Sequence, residues 1–203
     1  MIKIANNGSI LVGIILTAIV IATIGQLEKV LAQDGGNFIY LPLIVGDGIK
    51  IPNGDFEAGR TIWTESSKLS NILIVQENDL PRGISPHNGN WAAWLGGDND
   101  EQAYIEQSLF FNPDYRYLIY WYWIDWPFSC QGETGAVATI FLDQTDVHQT
   151  DVCSDTDTGG WAKQVIDLNG FAGQTVNLRF QLTTGFNSFA NFYLDDVALQ
   201  ISP

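Results

Sequence analysis

The 203-residue sequence predicts an all-β fold, a jelly-roll β-sandwich of two antiparallel sheets. Two observations carry that prediction. Ten short runs rich in aromatic, aliphatic and β-branched residues follow one another between residues 61 and 201, with Gly, Pro, Asn or Asp clusters between them. No stretch of this region sustains the apolar spacing of an amphipathic helix. Many short strands separated by turn signals pack as two sheets face to face.

In chain order, the first candidate strands are 61–65 and 72–76, followed by the breaker Leu80-Pro-Arg-Gly83. The strand 91–95 lies between His87-Asn-Gly-Asn90 and Gly96-Gly-Asp98, and 103–110 stops at Asn112-Pro-Asp114. The strongest strand is 115–125, where alternation puts Tyr117, Ile119, Trp121 and Trp123 on one face and Leu118, Tyr120, Tyr122 and Ile124 on the other. With both faces aromatic, it is either a central strand buried on both sides or a strand whose outer face meets a ligand. The remaining candidates, 136–142, 147–152, 162–166, 176–181 and 191–201, are punctuated by Thr158-Gly-Gly160, Asn169-Gly170 and Thr184-Gly185.

The last strand, Asn-Phe-Tyr-Leu-Asp-Asp-Val-Ala-Leu-Gln-Ile, carries adjacent carboxylates, Asp195 and Asp196, in its middle. Strict alternation groups Asp195 with Tyr193, Val197, Leu199 and Ile201, the expected buried face. A buried charge is costly unless paired or bound to metal. The natural partner is Asn53-Gly-Asp-Phe-Glu57, at the start of the domain. The plainer alternative leaves the two aspartates solvated, or held by Arg179 or Arg60. A second acidic run, Asp98-Asn-Asp-Glu101, lacks the spacing of an EF-hand loop and is expected to be a solvated turn.

Residues 1–32 have the form of a secretory signal peptide: Lys3, an uncharged apolar run over 10–24, and Val30-Leu31-Ala32 before Gln33. Cleavage after Ala32 competes with retention as an anchor, for which the apolar run is short. After cleavage no stable membrane span is expected. Residues 33–50 form a leader, either a linker or an opening strand, and 51–203 the sandwich domain, large enough for a core of its own. A net charge of −14 excludes nucleic acid as a natural partner, because phosphate binding needs a basic face. The only two cysteines, Cys130 and Cys153, are expected to pair in an exported chain.

Asn53-Gly-Asp-Phe-Glu-Ala-Gly59 with Trp63, the segment Asn90-Trp-Ala-Ala-Trp-Leu-Gly-Gly97 and the closing Phe192-Tyr-Leu-Asp-Asp-Val-Ala-Leu199 together resemble calcium-containing carbohydrate-binding jelly rolls, galactose-binding-like and MAM-like domains among them. With Trp161 and Gly170-Phe-Ala-Gly-Gln-Thr-Val176 added, the set is also similar to the C-terminal β-sandwich of immune-inhibitor-A-type bacterial metallopeptidases. The resemblance implies a structural calcium joining the first and last strands. Its ligands would be drawn from Asn53, Glu57, Asp195 and Asp196, with the choice within the aspartate pair open. It also implies a carbohydrate or cell-surface polymer as partner. The candidate platform residues are Trp91, Trp94, Trp121, Trp123 and Trp126, of which Trp91 and Trp126, beside loops, are expected to reach solvent. A structural or adhesion domain without a sugar site is the alternative.

Catalytic signals are weak. No His-Glu-x-x-His and no Gly-x-Ser-x-Gly occurs. His87 and His148 have no recognisable nucleophile motif beside them, and chance alone supplies carboxylate pairs among 23 acidic residues. A secreted, extracellular, non-enzymatic module is the expectation.

Overall fold

The computed structural model describes residues 51–126, 129, 135–186 and 188–203 in full and the backbone of residues 17–19, 29–34, 37–42 and 48–50. The chain divides into two units, residues 1–46 and 47–203. In the first, β1 (Thr17–Ile19), β2 (Lys29–Asp34) and β3 (Asn37–Pro42) form an antiparallel sheet in the order β1-β2-β3. No helix among the described residues is long and apolar enough to cross a membrane.

The second unit holds the remaining strands: β4 (Gly48–Lys50), β5 (Thr64–Ser67), β6 (Ile74–Gln76), β7 (Trp91–Gly96), β8 (Gln102–Phe110), β9 (Tyr117–Asp125), β10 (Ala136–Leu142), β11 (Thr145–Asp151), β12 (Ala162–Asp167), β13 (Thr175–Thr184) and β14 (Asn191–Gln200). One sheet runs β11-β10-β13-β8-β5 and the other β12-β9-β14-β7-β6, all neighbours antiparallel. The short β4 pairs with the C-terminal half of β14, at Ala198–Gln200. All ten expected strands are present, as two sheets of the predicted sandwich.

Alternation builds the core between the sheets. Ile105 and Leu109 of β8, Ile140 and Leu142 of β10, and Leu178 and Phe180 of β13 meet Leu118, Tyr120 and Ile124 of β9 and Ala93 and Leu95 of β7. Tyr120 packs edge-on against Phe180, with ring centroids 5.1 Å apart. Burying a Leu, Ile or Phe side chain in this way stabilises by roughly 1.5–3 kcal/mol each. Strand β9 is central in its sheet, with one face in the core. Its even-numbered side chains enter the core, while Trp121 and Trp123 stand on the opposite, outer face of the sheet.

The first strand begins three residues later than expected, at Thr64. The preceding loop, 53–63, is contorted, with positive φ at Asn53, Phe56, Gly59 and Ile62. Its Phe56 and Trp63 drop into the core, and the Trp63 indole N–H donates to the Asn53 carbonyl at 2.8 Å.

Strand β14 departs from simple alternation. Asp195 pairs with Trp121 and Ala198 with Ile119, so three steps along β14 match two along β9. Asp196, at φ +47°, is the extra residue of a β-bulge. Phe192 and Leu194 before the bulge, and Val197 and Leu199 after it, all face the core. Of the residues that strict alternation groups with Asp195, only Tyr193 shares its outer face; Val197 and Leu199 turn to the core, and Ile201 is exposed.

Candidate functional site

The outer face of the six-stranded sheet is lined by aromatic rings. Trp94 of β7 stacks on Tyr193 of β14 (6.1 Å), Tyr193 meets Trp123 edge-on (6.4 Å) and Trp123 meets Trp161 (6.1 Å). Beyond Trp161 lies His87 (5.8 Å), which stacks on Trp121 at 4.0 Å with planes only 16° apart. The row crosses strands in register: Tyr193 lies between Trp94 and Trp123, and Trp121 between Lys163 and Asp195.

The segment 77–91 crosses this face and is pinned from both ends of the domain. Leu80 packs with Val75, Ala92 and Tyr193, and the Trp161 indole N–H donates to the Ser85 carbonyl at 2.9 Å. Asp195, fully buried, accepts the amides of His87 (2.9 Å) and Asn88 (3.1 Å) on Oδ2 and that of Asp196 (2.7 Å) on Oδ1. Burial pushes the Asp195 carboxyl up to about 8; the three amides pull it down and the neighbouring Asp196 charge adds to the rise. Asp196 Oδ2 meets His87 Nδ1 at 2.6 Å, and the exposed Glu57 accepts the amides of Asn90 (2.7 Å) and Trp91 (2.8 Å) on Oε1.

The two acidic segments expected to share a calcium ion are thus brought to one place, gripping the same five-residue loop. The first and last segments also touch directly, through the Val197 amide and the Gly54 carbonyl at 2.8 Å. The arrangement is not an oxygen cage. The Asp195 and Glu57 oxygens named above accept amide hydrogens, Asp196 Oδ2 is engaged by the His87 imidazole, and the Asn53 carbonyl accepts from Phe56 and Trp63. Among the described residues, no three His, Cys, Asp or Glu side chains converge on one point. Neither arginine serves the aspartate pair: Arg179 bonds Glu106 and Arg60 bonds Glu65.

A cleft of about 350 Å³ opens on the outer face beside the bulge, at the low end of the ~300–1,000 Å³ usual for small-molecule sites. Trp121, Ile119 and Ala198 supply its apolar wall; Asp55, Asp196, Lys163 and Gln200 supply polar groups. Of the expected platform residues, Trp121 lines this cleft, Trp123 stands in the aromatic row next to it, and Trp94 lines a smaller cleft elsewhere. Trp126 is a correction: it is buried in the core, and Trp91 is half-buried against it, because both occupy core-facing positions. The run at 98–101 is another. Glu101 is 1 % exposed and binds Ser67, the amides of Lys68, Leu69 and Gln102, and Asn71, fastening the loop before β6. Lys163, Gln200 and Asp55 were not legible as site residues, although strand parity puts Lys163 opposite Trp121. Of the cysteines, Cys153 is buried, while Cys130 lies outside the described residues, as does Pro127 beside Trp126.

No family profile matches the sequence, and no protein of curated function matches it. Its fold is similar to solved structures. TmCBM61, a carbohydrate-binding module solved in complex with β-1,4-galactotriose, is 15 % identical, with 74 % of this chain and 96 % of that one covered and a TM-score of 0.50. The K3 cleaved adhesin domain of Lys-gingipain from Porphyromonas gingivalis w83 is 15 % identical over 75 % and 99 % of the two chains, with a TM-score of 0.51. A Stig cyclase from Fischerella sp. TAU reaches 0.49 at 14 % identity, over 75 % and 96 %, too distant to bear on activity. At these identities the likeness establishes the fold alone, a β-sandwich of two antiparallel sheets.

Proposed function

We propose that the protein is a secreted, non-enzymatic module that binds neutral carbohydrate in the cleft beside Trp121. The observation that supports this is the lining itself. A pyranose ring has an apolar C–H face and a rim of hydroxyls that both donate and accept. The cleft has Trp121 and Ile119 for the first, and acceptors (Asp55, Asp196) with donors (Lys163, Gln200) for the second. Two carboxylates in the cleft and a net charge of −14 work against polyanionic glycans. The module reading, with export after Ala32, a Cys130–Cys153 disulfide and kinship to the sandwich of immune-inhibitor-A-type metallopeptidases, follows the residues quoted at the outset.

Titration of tryptophan fluorescence against a panel of neutral oligosaccharides, galactans included, tests it. At least one is expected to quench or shift the emission. Trp121→Ala and Lys163→Ala should each weaken that binding roughly tenfold, about 1.4 kcal/mol, the second without disturbing the His87 stack. A panel to which both variants and the parent respond alike, or not at all, overturns the assignment.

A further inference from the structure

A second cleft, of about 130 Å³, lies where β7 ends and β14 begins, lined by Asn71, Ile72, Trp94, Gly96, Gly97 and Asp98. It is separate from the first. Gly96 pairs with Asn191, which faces Asp125 of β9, six residues along that strand from the Ile119 that faces Ala198 in the first cleft, about 20 Å at ~3.3 Å per residue.

The chemistry of its polar lining is one-sided. The Asn71 side-chain amide donates to Asp98 Oδ2 at 2.9 Å and to Glu101 Oε2 at 3.0 Å. Glu101 is a buried anchor, so both amide hydrogens are committed and the Asn71 carbonyl oxygen is the end left for a ligand. The Trp94 indole N–H donates to Asn191 Oδ1 at 2.8 Å and is likewise committed. No lysine or arginine lines the cleft. Its side chains therefore offer acceptors, Asn71 Oδ1 and the Asp98 carboxylate, beside an indole and the half-exposed Ile72. Gly97, at φ +81°, packs so closely on the edge of the Trp94 indole that a Cβ there would lie 2.7 Å from Trp94 Cζ2, so any side chain at this position would displace the ring.

A lining without side-chain donors selects a ligand rich in donors, and a carboxylate beside an indole favours a positive one. The apolar surface of Trp94 and Ile72, in a space of about one ring, suits a pyranose better than a slender alkyl ammonium. We propose that this cleft binds the protonated amine of a 2-amino sugar, as in a de-acetylated amino-sugar polymer. Asp98 and Asn71 receive the ammonium and an adjacent hydroxyl, and the ring lies against Trp94 and Ile72. N-acetylation abolishes the positive charge and adds bulk, so it is the discriminating change.

Calorimetric titration of the full chain with a glucosamine tetramer, its N-acetylated counterpart and choline chloride tests the proposal. The glucosamine tetramer is expected to bind, to weaken with added salt, and to bind at least tenfold more tightly than the acetylated tetramer or choline. Asp98→Asn, isosteric and able to keep the Asn71 contact through its own carbonyl, should weaken it about tenfold, and Trp94→Phe should weaken it while retaining the fold. Trp121→Ala should leave it unchanged, and Asp98→Asn should leave neutral-glycan binding unchanged, so the two clefts fail or stand separately. Equal binding of the acetylated tetramer or of choline, or indifference to Asp98→Asn, overturns it.

Discussion

Asp195 concentrates the chemistry of the fold in one side chain. Its carboxyl is pushed up to about 8 because burial disfavours the charge more than three amides favour it. The unfolded chain releases this proton near pH 4. Between those values the folded state holds more protons than the unfolded, so stability falls as pH rises from about 4 to about 8. Thermal melts in chelator should show that decline, and Asp195→Asn should flatten it. The Asn substitution should also lower stability at pH 5, by about 1–3 kcal/mol, because its amide group faces backbone N–H donors. A bound cation reverses the sign, since it favours the charged carboxylate. Melts that rise with pH in millimolar calcium, but not in chelator, would place calcium at this residue; identical curves would leave the amides as its sole partners.

At the scale of elements, most strands were legible because they are short apolar runs between breakers, the polar β5 and β11 excepted, and the two-sided character of β9 could be read from alternation alone. The phase of β14 could not. A bulge inserts one residue without any compositional mark, and the positive φ falls on Asp196, a residue type that tolerates it. That single insertion leaves Asp195 on the outer face with Tyr193, turns Val197 and Leu199 into the core and re-aims Ala198 and Gln200 toward the cleft. Residues 80–83 and 87–90 were read as breakers, yet the segment they belong to crosses the aromatic row; its role comes from long-range contacts to Glu57 and Asp195 that no local pattern encodes. Gly89 reports on that grip. At φ +70° a Cβ there would lie 2.3 Å from the Glu57 carboxylate carbon, whereas at Gly83, φ +98°, nothing is within 4 Å. Gly89→Ala should therefore destabilise by more than Gly83→Ala, which carries only the backbone strain of about 1–3 kcal/mol. Urea denaturation of both variants measures the difference, and equal losses would mean that Glu57 does not hold the loop.

For the whole molecule, the connections between sheets say where a staple matters. The chain crosses from the six-stranded to the five-stranded sheet between β9 and β10, and back between β11 and β12. Cys130 lies in the first crossover and Cys153 in the second, so the pair brackets the β10–β11 hairpin. That hairpin joins its sheet only through β10 and β13, leaving β11 at the edge. A disulfide between the crossovers would close a loop of about 22 residues, for which chain entropy gives on the order of 3 kcal/mol. Mass spectrometry after alkylation, with and without reductant, is expected to find the thiols protected until reduced. Reduction, or the Cys130→Ser/Cys153→Ser double variant, should lower the Tm by roughly 6–12 °C, taking about 2–4 °C per kcal/mol for a domain of this size. Hydrogen exchange should quicken first in β11 and β10, while β9 and β14, central in the other sheet, keep their protection. Thiols that alkylate freely in the native protein, or exchange that quickens evenly across both sheets, would show that the crossovers are held by packing alone.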